Sequence, residues 1–363
     1  MKPFFIISSL ALFISTNLSA QYTYGFEQVF FFVRHPSARA EAMGKTYAAI
    51  DGDLYSVYYN PAGINSIKKF EVNFSNAHPL YLSEKANYYY TNAGYKASDY
   101  FVAAFSFNQL SIGDFTFTDN SGNVTGIIQS YINNYTLSIA SQPVKDFRVG
   151  LNMNLYDNHE FPAKVSQPVY LDLGVLKSFS LVHKEQTSHK LNIGGSIGNV
   201  NAAELSITYN STSKAELPSI LRLGAAYFYT YNKSGNFDTL NTVDLIIQVG
   251  YDDPVNSKYL TAFRVGTEIK LFEIASLRMG YYTENQYDYG IPEVNYGELN
   301  DFTYGFGLSL PLEKITPNRL PWSIAVDYTT LPQPPYSKKN PFVEKFSNFH
   351  TLNLKVCWQG KRK

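Results

Sequence analysis

The chain has a single cysteine, Cys357, among 363 residues. One thiol excludes a disulfide framework and a thiolate metal site. Tryptophan is scarce, with 2 residues. An excess of one charge is missing as well: 30 Lys and Arg balance 30 Asp and Glu. That balance removes the electrostatic footprint of a nucleic-acid-binding protein, so no nucleic acid is expected as a partner. Beyond the amino-terminal segment there is no run of eighteen apolar residues, so no helix spans a bilayer. The histidines, His35, His78, His159, His183, His189 and His350, show neither metal-ligand spacing nor an evident nucleophile partner. No catalytic residue, metal or cofactor is expected, and the chain reads as a non-enzyme.

Aromatic residues are abundant instead, with 30 Tyr and 26 Phe. Tyrosine has an apolar body and a polar tip, which suits a surface that is oily in the middle and wet at its edges. A tyrosine-rich soluble β-sandwich would share this composition, and strand length separates the two. The first residues read as a secretory signal: Lys2, an apolar stretch from Phe4 to Ile14, and small residues ending at Ala20. The stretch is too short to span a bilayer. A signal over 1–20 puts the mature start at Gln21; a buried amino-terminal strand is the alternative. No cysteine stands at the cleavage point, which argues against a lipid anchor.

From residue 68 the chain alternates with a period of two over segments of about ten residues. Phe147, Val149, Leu151, Met153 and Leu155 share one face, against Arg148, Gly150, Asn152, Asn154 and Tyr156. The same alternation predicts fourteen strands: 68–77, 85–95, 100–109, 131–142, 146–157, 168–180, 188–199, 219–231, 241–252, 261–272, 275–285, 301–311, 321–331 and 348–358. Soluble strands cluster near five or six residues, whereas about ten residues tilted by about 40° cross an apolar band of ~25 Å. Long connections, notably 110–130, 158–167, 200–218, 286–300 and 332–347, fall mostly at one end, and tight turns such as Ala97-Ser98-Asp99 at the other. The expected fold is all-β: a closed antiparallel transmembrane β-barrel of about fourteen strands over 68–363, in the outer membrane of a Gram-negative cell. Leu151, Leu245, Phe306 and Leu354 are expected to face lipid.

Residues 21–67 do not alternate. Ser37 to Ile50 is rich in small residues and suits one or two short helices; Asp51-Gly52-Asp53 and Asn60-Pro61-Ala62-Gly63 punctuate it. A barrel this wide is not filled by wall side chains alone. The segment therefore reads as an N-terminal hatch, or plug, inside the barrel, with a small periplasmic domain as the alternative. Pro61 fixes φ, Gly63 is suited to a backbone conformation closed to other residues, and Asn60 is placed to bond a nearby backbone group.

Three elements of this segment, Ser37 to Gly44 with Arg39, Ala48 to Asp53 with Asp51, and Tyr59 to Ile64 with Asn60, Pro61 and Gly63, resemble the hatch of the FadL superfamily. The PorV/PorQ branch of Bacteroidetes is the nearest likeness, and Tyr170 to Gly174 and Leu217 to Gly224 look like that branch too. The resemblance implies one of two functions. PorV-type proteins serve type IX secretion, receiving cargo domains and associating with the translocon. FadL-type proteins conduct hydrophobic small molecules through a plugged barrel, with exit sideways into the membrane. The first is the favoured expectation, on the branch likeness alone. Expected partners are outer-membrane lipid together with secreted cargo or translocon components, or a hydrophobic ligand.

Strand parity turns Arg148, Asp172, Arg222, Asp244, Arg264, Glu268, Arg278, Asp327 and Lys355 toward the lumen. Both signs occur, unlike the single-sign field of an ion-selective pore. These charges are expected to bond the hatch, with Arg39 and Glu41 as its candidate partners, or in part to hold a ligand. Gly194-Gly195-Ser196-Ile197-Gly198 reads as a close-packed wall position rather than a phosphate loop.

Overall fold

The computed structural model describes residues 34–77, 87–119, 121–159, 164–208, 212–235, 239–255, 261–285, 298–316, 320–331 and 349–360. The expected signal over 1–20, and the first part of the expected hatch, lie outside them.

Fourteen antiparallel strands close into a barrel. In chain order they are β1 (Phe70–Ala77), β2 (Asn87–Ser98), β3 (Phe101–Thr118), β4 (Val124–Val144), β5 (Phe147–His159), β7 (Val169–His183), β8 (Thr187–Ile197), β11 (Ile220–Tyr231), β12 (Val243–Pro254), β13 (Ala262–Leu271), β14 (Ala275–Asn285), β15 (Glu298–Pro311), β16 (Trp322–Leu331) and β17 (Phe349–Trp358). Each pairs with its sequence neighbour in the barrel, and β17 closes on β1, with Phe70 opposite Trp358. These are the fourteen strands that the alternation predicts.

Two stretches depart from expectation. The region 110–130 is not a loop: β3 and β4 stay paired to Thr118 and Val124 across two register shifts. The chain from Ser111 to Thr118 keeps strand alternation, so the pair extends beyond its neighbours. Strands form within the expected loops 158–167 and 200–218 too. They build a second sheet from β6 (Lys164–Val165), β9 (Glu204–Thr208) and β10 (Thr212–Glu216). Its Leu205 and Ala215, with the adjoining Leu217, join a buried cluster with Tyr88, Tyr156 and Tyr170 of the wall, so the small sheet covers part of the long-loop end.

Along each strand one face is exposed and apolar. Phe74, Phe105, Leu137, Met153, Ile193, Val249 and Leu354 belong to it. A belt of exposed large apolar side chains on a closed barrel is a lipid-facing surface, and the fold is that of an outer-membrane barrel. Two polar pairs sit on this outer face: the hydroxyl of Tyr227 lies 2.6 Å from His189, and that of Tyr328 lies 2.6 Å from His350.

At the tight-turn end, α3 (Leu312–Ile315) between β15 and β16 ties the barrel closure together. Its Glu313 accepts from Lys68 at 2.9 Å and also meets Gln359.

Inside the wall lies the segment 34–67. It holds α1 (Ala38–Ala42), α2 (Ser56–Tyr59) and a 3-10 turn, Pro61–Ser66. Ser37 caps α1 by accepting from the Ala40 amide at 3.2 Å. Only five residues of the Ser37–Ile50 stretch are helical, because Gly44 (φ +70°) and Lys45 (φ +62°) turn the chain out of the helix.

Candidate functional site

The inner wall carries glycines where the segment passes. A Cβ on Gly305 would press on Ala42; on Gly266 and Gly280, on Met43 and Gly44; on Gly250, on Thr46; on Gly194, on Ala48. Further round, Gly174 faces Asn60, Gly150 faces Pro61, and Gly94 faces Leu54. The glycines pair across strands, Gly150 with Gly174, Gly194 with Gly224, Gly224 with Gly250 and Gly266 with Gly280. Together they form a belt that admits the segment's backbone where any side chain would exclude it. Gly194 of the glycine cluster belongs to this belt, whereas Gly195 points away from it, toward Leu223.

Asn60 anchors the segment at three points. Its amide nitrogen donates to the carbonyls of Ala48 (2.7 Å) and Val175 (2.9 Å), and its oxygen accepts from the Ala62 amide at 3.1 Å. Gly63 serves differently from expectation. Its φ is not positive; instead a Cβ there would stand 2.6 Å from the Ile50 carbonyl oxygen and 2.8 Å from Ser56. Close packing, not a left-handed backbone, requires glycine.

Ion pairs complete the seat. Arg39 donates twice to Glu268, at 2.7 and 2.8 Å, and Arg278 links the same carboxylate to Asp327 at 2.7 Å. Asp53 lies between Arg39 (3.2 Å) and Lys355 (3.3 Å), and Asp51 between Arg148 (3.2 Å) and Lys190 (2.9 Å). Burial pushes the Asp53 carboxyl up, but Lys355 and Arg39 outweigh it and hold the group well below the usual carboxylate range. Glu41 takes a partner other than a wall charge: Arg34 of its own segment, with Thr351 of β17 at 2.6 Å. Arg264 joins Asp252 and Glu284 on neighbouring strands, each at 3.1 Å. His35 stacks on Tyr59. Burial, then the nearby cations Arg264, Lys45, Arg222 and Arg34, holds its imidazole well below its ordinary range, in the neutral form.

Cavities lie on both sides of the segment. Toward the long-loop end is a partly open cavity of about 60 Å³, floored by Val57 and Tyr58. Asn152 and Asn154 both donate to Asp172, at 3.0 and 2.8 Å, and the Asn199 amide takes the other carboxylate oxygen at 3.0 Å. Tyr170 donates to Asn134 at 3.1 Å. Arg222 lies over the Tyr58 ring at 5.3 Å. Asp172 and Arg222 therefore line this cavity rather than bond the hatch through ion pairs. Toward the tight-turn end two adjoining spaces of about 100 and 480 Å³ share Lys270, Ser309 and Ser323. Asp244 lies there, accepting from Thr230 at 2.8 Å, away from the segment. On the lipid side, an apolar recess of about 210 Å³ opens among Phe101, Ile139, Leu151 and Leu173, around Gly150.

The glycine belt escapes a sequence reading because strand parity marks which way a glycine faces but not what lies opposite it. The asparagine wall escapes for a related reason: neutral amides at alternate positions look like ordinary lumen lining. The run Asn152, Asn154, Asn158 is the one signal available.

The chain matches no protein-family model and no curated protein. Among solved structures it is similar to the toluene transporter TodX of Pseudomonas putida, with 12% identity over 88% of this chain and 96% of that one and a TM-score of 0.46. The toluene transporter TbuX of Ralstonia pickettii gives 12% identity, 89% and 97% coverage and a TM-score of 0.40. A Pseudomonas aeruginosa FadL homologue gives 10%, 91% and 99%, with a TM-score of 0.40.

Proposed function

We propose that the chain is a plugged outer-membrane conduit for small molecules with an apolar body, the FadL-type reading. The observation that carries it is the seat of residues 34–67, which touches the inner wall from β15 round to β2 and separates an outer cavity from an inner vestibule. The apolar recess around Gly150 lies on the lipid side of a continuously paired stretch of β4, β5 and β7, closed from within by Pro61 of the segment. The secretion role implied by the PorV/PorQ likeness would rest on the outer loops. Two of these, 286–297 and 332–348, lie outside the described residues, and no observation favours that role over a conduit.

Deleting residues 25–60 while keeping the signal is expected to leave an assembled barrel with raised single-channel conductance in planar bilayers. An assembled deletion that conducts at the wild-type level would sink the proposal.

A further inference from the structure

We infer that the inner vestibule holds a binding site for a small carboxylate, centred on Lys270 of β13. The inference goes beyond the conduit reading and does not rest on it.

Two spaces meet at Lys270, a narrower one that reaches Arg39 and Asp53 of the hatch segment and a wider one toward the tight-turn end. Every other cation that lines them has a carboxylate partner. In the narrower space Arg39 and Arg278 share Glu268, and Lys355 meets Asp53. In the wider, Lys68 meets Glu313, and Lys314 meets Glu273. Lys270 has neither an ion pair nor a hydrogen bond from its ammonium among the described residues. Strand register explains the exception. The residue opposite it on β12 is Asp244, but that carboxylate accepts from Thr230 (2.8 Å) and Asn241 (3.1 Å) instead. On β14 the opposite residue is Ser276. The Lys270 ammonium is open to a water-sized molecule, unlike that of the buried Lys45.

Donors and charge then select the ligand. Ser309 and Ser323 line both spaces and Ser276 the narrower one, so hydroxyl donors share the lining with the ammonium. A carboxylate is acceptor-only and carries one charge, which one unpaired ammonium offsets. A phosphate would bring further negative charge into a lining whose remaining cations are all paired, and an uncompensated desolvated charge is costly. The wider space, about 480 Å³, is lined by polar residues apart from Pro311. It suits a short polar body and offers no wall to an apolar tail.

The test is calorimetric titration of the full chain in detergent with sodium propionate and with its neutral counterpart 1-propanol, at constant chloride. Propionate is expected to bind at least about tenfold more tightly, the lower end of what a hydrogen bond to a charged group supplies. Lys270→Gln is expected to abolish that preference. Lys177→Gln, on the outer face beside Phe179, is expected to keep it. Ser309→Ala is expected to weaken propionate binding a few-fold, by about one neutral hydrogen bond. Assembly of each variant is checked by heat-modifiable gel mobility; if Lys270→Gln does not assemble, Ser309→Ala decides. Equal affinity for propionate and propanol, no propionate binding, unchanged propionate affinity in the assembled variants, or inorganic phosphate bound more tightly than propionate each overturns the inference. A hatch deletion that conducts at the wild-type level would remove the conduit and leave this site standing, whereas a failed titration would leave the conduit.

Discussion

The two faces of a single strand are held to different standards in this barrel. On β5 the outer face, Leu151, Met153 and Leu155, meets only lipid, where an apolar side chain of any shape will serve. The inner face reads Gly150, Asn152, Asn154, and each residue has an assignment. Gly150 admits Pro61, Asn152 donates to the Val57 carbonyl at 2.9 Å, and Asn154 supports Asp172. The outer face is set by a solvent and the inner face by particular atoms. Substitutions outside should therefore be judged by polarity alone, and substitutions inside by position.

The largest effect is expected from Glu268→Leu. It strips Arg39 of two hydrogen bonds and Arg278 of one carboxylate partner, in a buried network. Breaking a buried pair costs about 3–5 kcal/mol, and the loss should appear as faster hydrogen exchange at amides of residues 38–66. Unchanged protection there would mean that the ion pairs do not hold the segment. Next comes Leu354→Arg, on the lipid face. An arginine near the midplane costs roughly 2–4 kcal/mol, read as a lowered urea midpoint for folding into bilayers, while Leu354→Phe should fold as the parent does. If the arginine variant folds equally well, residue 354 does not face the membrane core. The smallest effect, and the sharpest comparison, sets Gly280→Ala against Gly195→Ala. The first adds a methyl where the Gly44 amide already sits; the second adds one beside a flexible Leu223 side chain 3.2 Å away. Overpacking of about 1–3 kcal/mol is expected for Gly280 alone, with noisier and more frequent channel openings. Equal behaviour of the two variants would remove the glycine belt as a distinguishing feature.

Tyrosine shows where the sequence reading reached its limit. Its abundance suits membrane rims, and Tyr95, Tyr251 and Tyr304 are exposed on the outer face. Yet Tyr88, Tyr90, Tyr156, Tyr170 and Tyr282 are buried inside the wall, and Tyr47, Tyr55 and Tyr59 are buried in the hatch segment. Composition counts both populations alike, because the same amphipathic side chain satisfies a lipid boundary and a half-polar lumen. Parity does sort the wall tyrosines, since neighbours on a strand face opposite ways. It cannot sort those between residues 34 and 67, where nothing alternates. The ion pairs divide similarly. Glu268 and Arg278 lie directly opposite on paired strands, a contact that strand register alone supplies. The link from Arg39 to Glu268 spans 229 positions and follows only from where the segment lies in the lumen.

Local chemistry was enough to determine the barrel: period-two alternation, strand length and turn spacing are properties of short stretches, and antiparallel neighbours pair with neighbours. What crosses the lumen was decided by tertiary structure alone. The glycine belt, the Asn60 anchor and the Arg39–Glu268 pair depend on bringing a non-repeating segment against strands that are distant in sequence. Contacts of that kind leave no period to read, because each is set by the shape of one particular neighbour.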